Sequence, residues 1–282
     1  MTMNFAERRV RVPGAELHLA EAGSGDPVVL LHGWPQHGGM WRHLAPELAR
    51  SYRVLIPDLR GFGRSDAPPG PYDKHTLLGD VLALLDAEGI ERAIFIGHDW
   101  GGWVSWLAAL EHPERVERLI GIDIPPPSVS RPSLRRLPKQ LVFSSYQVMI
   151  SAPGVGAWLV RSGKLPGGVL RAGSGKAMRW TDEELEMYLA PLREPARARA
   201  TVALYRTFLT REVPKLARGA YTQSELKLPA LSIFGEESKV LAMTGLPDPD
   251  PNLRVEVLPA TGHFVPEERP EEVAELVRGF LG

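Results

Sequence analysis

The chain has 282 residues, enough for one large α/β domain carrying an insertion or for two smaller domains. Its 33 basic and 34 acidic side chains nearly cancel, so nothing marks it for nucleic acid, and its lack of cysteine excludes a disulfide frame, a thiol nucleophile and a thiolate metal site. The opening MTMNFAERRV lacks the apolar core of a signal peptide and no apolar run is long enough to span a membrane, so the expected location is the cytoplasm.

In chain order, Arg9 to Glu21 alternates and turns at Pro13-Gly14, which predicts an antiparallel hairpin at a sheet edge. Short apolar strands follow at Pro27–Leu31, Val54–Ile56, Ile94–Ile96, Leu119–Ile122, Leu231–Phe234 and Val255–Leu258. Helical faces lie between and after them, one marked by Leu77, Val81, Leu84 and Leu85, another by Val273, Leu276, Val277 and Phe280. That alternation predicts a mostly parallel, eight-stranded sheet covered by helices on both faces. The order breaks at Pro125-Pro126-Pro127, and an arginine-rich stretch without a clear strand runs to about Lys227. We expect a helical lid over 125–227, inserted after the sixth strand, and a core made of 1–124 and 228–282.

Chemistry concentrates in AIFIGHDWGGWVSW, from Ala93 to Trp106. An apolar strand meets Gly97-His98-Asp99-Trp100-Gly101 and gives way at once to a helical pattern. So abrupt a turn holds its middle residue, Asp99, in a strained conformation between small neighbours and lifts the carboxylate off the strand end. Such a carboxylate is ionised at neutral pH and can attack an sp3 carbon without a base. The bland reading is an aspartate capping a helix.

The pattern resembles the nucleophile elbow of the α/β-hydrolases, with aspartate where esterases carry serine. The resemblance implies an α/β-hydrolase fold and is strengthened by His32-Gly33-Trp34-Pro35, similar to the oxyanion-hole motif of aspartate-nucleophile members. Backbone N–H groups of Trp34 and Trp100 would then face the developing oxyanion, with a cis peptide before Pro35. Thr261-Gly262-His263-Phe264 follows the last strand, which makes His263 the candidate base for water. His32, His37 and His43 lack confirming metal ligands and read as loop and helix residues.

The third member departs from the commoner pattern. Where most epoxide hydrolases have an aspartate after the seventh strand, this chain reads Phe234-Gly235-Glu236-Glu237-Ser238-Lys239. Asp123, ending the sixth strand, stands at the alternative position used by fluoroacetate dehalogenases and some haloalkane dehalogenases. An aspartate ending an apolar strand needs a partner, so Asp123 is preferred over Glu236 or Glu237 as the acid that orients His263. Tyr146 and Tyr205 resemble the paired lid tyrosines of epoxide hydrolases, whose phenols hydrogen-bond the epoxide oxygen.

The resemblance implies an epoxide hydrolase that uses no cofactor or metal and converts a small apolar epoxide and water to a diol. Neither nucleic acid nor membrane is expected as a partner; a homodimer stays open. The alternative is a haloalkane or haloacid dehalogenase with the same nucleophile. Trp34 in place of a halide-holding asparagine disfavours the first form, and Trp100 and Trp103 in place of carboxylate-binding arginines disfavour the second. A non-catalytic ligand receptor is a third reading. Gly173-Ser174-Gly175-Lys176 imitates a phosphate loop, but Leu170 and Ala177 stand where glycine and Ser or Thr belong, so a flexible lid turn is expected there.

Overall fold

The structure, a computed structural model, describes residues 5–127, 145–222 and 224–282. Eight strands form one sheet in the order β1-β2-β4-β3-β5-β6-β7-β8: β1 Ala6–Val12, β2 Ala15–Ala22, β3 Pro27–Leu31, β4 Arg53–Pro57, β5 Ala93–His98, β6 Val116–Ile122, β7 Ala230–Gly235 and β8 Leu253–Leu258. The expected hairpin is β1–β2, with Val12 opposite Ala15 across the Pro13-Gly14 turn. Only β2 runs against its neighbours; from β4 to β8 every pairing is parallel.

Strands buried on both faces read as continuous apolar runs, because each face meets helices. Along β3, Val29 and Leu31 join the core beneath α2 (Lys74–Ala87) and α3 (Asp99–Glu111). Val28 and Leu30 join the opposite core, beneath α1 (Leu44–Leu48) and α12 (Pro270–Leu281). Both helical faces read from the sequence are therefore sheet-facing.

Between β6 and β7 the described residues form helices and no strand: α4 (145–151), α5 (Val155–Arg161), α6 (Lys164–Gly173), α7 (Asp182–Leu192), α8 (Pro195–Thr207), a π-helical turn (Phe208–Glu212) and α9 (Val213–Ala217). Residues 128–144 and 223 of the expected lid lie outside the described residues. Beyond β7 come α10 (Lys239–Thr244) and, after β8, α11 (Val265–Glu268). No described helix is long and apolar enough to cross a membrane.

The site depends on the junction of β5 and α3, where the strand ends at His98 and the helix begins at Asp99 with no loop between them. Asp99 takes φ +49°, the left-handed region that is costly for a residue with a Cβ. Its neighbours must be glycines. A Cβ on Gly97 would lie 2.4 Å from the Gly101 carbonyl oxygen, and one on Gly101 would lie 2.2 Å from that of Leu31. Because backbone on both sides blocks relief, Gly101→Ala should destabilise the fold by about 3 kcal/mol, read as a lower urea midpoint. An unchanged midpoint would show that the junction tolerates a side chain.

Candidate functional site

Three strand ends converge on one carboxylate. Asp99 lies against the loop after β3, where the Trp34 N–H donates to Asp99 Oδ2 at 3.0 Å and the Trp100 N–H also favours the charged carboxylate. Gly33 allows this approach, since a Cβ there would sit 2.6 Å from Oδ2. The Trp34–Pro35 peptide is cis, as expected. His32 anchors the same loop: its Nε2 accepts the Leu59 N–H at 2.9 Å, and burial lowers its pKa to about 4, so it is neutral. Burial raises the Asp99 pKa above the ordinary aspartate value, opposed by His263, the two N–H groups and Lys74.

His263 comes from the loop after β8, and its Nδ1 lies 2.6 Å from Asp123 Oδ2. Asp123 ends β6 with φ +48°, one step beyond the pairing of His98 with Ile122, so two adjacent parallel strands each end in a left-handed aspartate. Asp123 is fully buried and fully partnered: Ser238 Oγ donates to Oδ2 at 2.5 Å and the Gly235 N–H to Oδ1 at 3.2 Å. The other two acids considered lie elsewhere. Glu236 accepts the Ala260 N–H and Glu237 accepts the Lys176 N–H. Burial opposes a charged His263, but Asp123, Asp99 and Glu268 outweigh it and raise its pKa above the ordinary histidine value.

Tyr146 on α4 and Tyr205 on α8 close over Asp99. Tyr146 stacks on Trp34 with ring centres 6.1 Å apart, and Tyr205 meets Trp34, Trp100 and Tyr146 edge-on at 5.3, 5.6 and 5.8 Å. Tyr146 lines the cavity, while Tyr205 is packed behind it. Burial raises both phenols, Tyr146 to about 12, so each keeps its proton at neutral pH. The cavity measures about 1060 Å³ and is walled mainly by apolar residues of the insertion and the core, with Asp99 and His263 among its lining. Among the described residues no group of three or more histidine or acidic side chains could hold a metal ion.

Several residues at the site escaped the reading from sequence. His98, packed 4.7 Å from the His263 ring, shares a hydrogen bond of 2.8 Å with the His263 carbonyl through Nε2, and burial keeps it neutral. Ser238 carries no signal of its own in the sequence; the hydroxyl that caps α10 also donates to Asp123. Lys74, 1% exposed, puts Nζ 4.0 Å from the centre of the Trp100 ring and 3.0 Å from Glu212 of the π-turn, which also accepts the Lys74 N–H. A lysine and a glutamate 138 positions apart carry no shared signal in sequence. Lys74→Met, which strands Glu212, should cost on the order of 3 kcal/mol in urea unfolding, and adding Glu212→Leu should restore most of it. A double variant as unstable as the single would show that the pair does not act together.

Comparisons with known proteins agree with this geometry. Residues 26–270 match the family model described as the α/β hydrolase fold. The chain is 29% identical to the soluble epoxide hydrolase of Corynebacterium sp. (strain C12), covering 100% of this chain and 99% of that one. It is 30% identical to epoxide hydrolase 4 of Mus musculus over 97% of this chain and 78% of that protein. The solved structure of the epoxide hydrolase CorEH without ligand superposes with a TM-score of 0.85 at 27% identity, covering 99% of both chains. The chain belongs to the α/β-hydrolase fold family.

Proposed function

We propose that the protein is an epoxide hydrolase that forms a covalent ester on Asp99. The observation that carries the reading is Asp99 itself: its Oδ2 held by the Trp34 N–H, at the wall of the cavity, between a tyrosine lining that cavity and a histidine paired with a buried carboxylate. The family match and the names of the relatives above support it.

Asp99 Oδ1 attacks an epoxide carbon, the carbon–oxygen bond of the ring breaks, and the released alkoxide takes a proton from Tyr146 while Tyr205 hydrogen-bonds to Tyr146. Oδ2 becomes the carbonyl oxygen of the ester, already placed at the Trp34 N–H, with the Trp100 N–H as the second donor of the oxyanion hole. His263, neutral and oriented by Asp123, takes a proton from water, the hydroxide adds to Asp99 Cγ, and Asp123 stabilises the imidazolium that forms. The tetrahedral oxyanion collapses, the Asp99 Cγ–Oδ1 bond breaks so that Oδ1 leaves as the second oxygen of the diol, His263 protonates that oxygen, and the proton of the hydroxyl left on Asp99 passes to the Tyr146 phenolate. We read 125–227 as the lid that keeps this chemistry apart from bulk water.

The alternative is a dehalogenase, and one observation favours it: the Trp34 indole N–H is buried without a hydrogen-bond partner among the described residues and could serve a departing halide. One experiment separates the two. In His263→Gln, an epoxide should add its full mass at Asp99, whereas a haloalkane would add its mass less the halide; a mass gain from neither would defeat both.

The charge of Asp99 is among the causes that raise His263, and the ester removes that charge. The pKa of His263 should therefore be lower in the intermediate than in the free enzyme. Ester hydrolysis, lost as pH falls and His263 gains its proton, should show its acid limb below the His263 titration of free enzyme followed by NMR. Coincident values would contradict the assignment of His263 next to an ionised nucleophile.

A further inference from the structure

The Gly173-Ser174-Gly175 turn, free-standing by its sequence, is tied to the loop that carries His263. The Gly175 N–H donates to Glu268 Oε2 at 2.8 Å, and the same oxygen accepts the Gly262 N–H at 2.8 Å. Glu268 Oε1 accepts the Phe264 N–H at 3.0 Å. One carboxylate thus grips the amides on either side of His263. The amide of His263 itself donates to the Gly173 carbonyl at 2.8 Å. The two loops touch backbone to backbone: a Cβ on Gly262 would lie 2.2 Å from the Gly175 nitrogen, and one on Gly175 would lie 2.9 Å from the Gly262 nitrogen. Only glycine fits on both sides of that contact.

We propose that Glu268 is a positioning residue for His263, and that through Gly173 and Gly175 it fastens the helical insertion to the base. This rests on the reading of His263 as the base of ester hydrolysis. The geometry explains why the two loops meet here. Three amides converge on one partly buried carboxylate, and a charged acceptor holds each more strongly than a neutral one would. The imidazole then turns about a fixed backbone, and its contact with Asp123 is set by the main chain as well as by that single hydrogen bond. The insertion contributes two of the contacts that fix this loop, so its seat on the core bears on the second half-reaction more than on the first.

The charged and titratable groups facing His263 are Asp123 at the end of β6, His98 and Asp99 at the junction of β5 and α3, and Glu268 on α11. The insertion brings backbone at Gly173, and the next basic residue along it, Lys176, pairs with Glu237. Glu268→Gln keeps the side-chain length, removes the negative charge and sets an NH2 group against one of the three amides. Single-turnover kinetics should show formation of the Asp99 ester unchanged within about twofold and its hydrolysis slowed about 10- to 100-fold. Loss of a nearby anion lowers the pKa of His263, so the acid limb of hydrolysis should move to lower pH.

A purely structural defect would depress both steps together and leave the limb in place; that result, or unchanged hydrolysis, overturns the proposal. Gly175→Ala keeps every charge but forces the loops apart, so it should slow hydrolysis, spare ester formation and leave the limb where it is. It carries the test if Glu268→Gln does not fold, and equal slowing of both steps by Gly175→Ala would overturn the proposal. Failure of the underlying reading is distinct: His263→Gln would then accumulate no ester at all.

Discussion

The site is organised by the cost of keeping one carboxylate charged away from bulk water. Asp99 sits under aromatic rings, where burial favours its neutral form, and among the described residues no arginine or lysine pairs with it directly. Its charge is supported by dipoles and by charge at a distance: the backbone N–H groups of Trp34 and Trp100, His263 beside it, and Lys74 behind the Trp100 ring. A carboxylate satisfied on both oxygens would be stable and unreactive. Support by dipoles and distant charge, without a paired cation, leaves the carboxylate a nucleophile in a mainly apolar pocket.

That arrangement puts strain at two strand ends. β5 and β6 are neighbours, and each hands its chain to a left-handed aspartate. One aspartate faces the cavity, while the other is buried beneath His263 and held by Ser238 and the Gly235 amide. Ser238 explains how the acid can come from β6 here. A hydroxyl at the head of α10 donates to Asp123 and so turns the seventh-strand loop into support for a carboxylate that arrives from its neighbour.

The helical insertion packs apolar residues into both cores and is also tied to the core by buried polar contacts. Lys74 meets Glu212 beneath Trp100, and Glu267 receives Arg42, Gln36 and Tyr188 where α7 passes over α11. Buried pairs of this kind add little net stability, because desolvation offsets their attraction, but misplacing either partner is costly. They therefore specify where the insertion sits. That placement decides whether Tyr146 and Tyr205 stand over Asp99.

The strand pattern, the hairpin, both sheet-facing helices, the junction at Asp99 and the candidacy of His263 are legible in the sequence, because each is written in residues near one another along the chain. Periodicity reports which face of an element is buried, and glycine beside aspartate reports a turn that only small neighbours permit. The sequence favours Asp123 over Glu236 and Glu237 as the partner of His263 without excluding the glutamates, since all three follow strand ends. The contact itself follows from packing, through the register that sets β6 between β5 and β7 and brings Asp123 to His263. The same holds for Lys74 with Glu212, for Glu268 with Gly175, and for the two tyrosines over one carboxylate. These contacts join residues far apart in the chain, and their distances follow from how the insertion packs on the sheet, which no local pattern encodes.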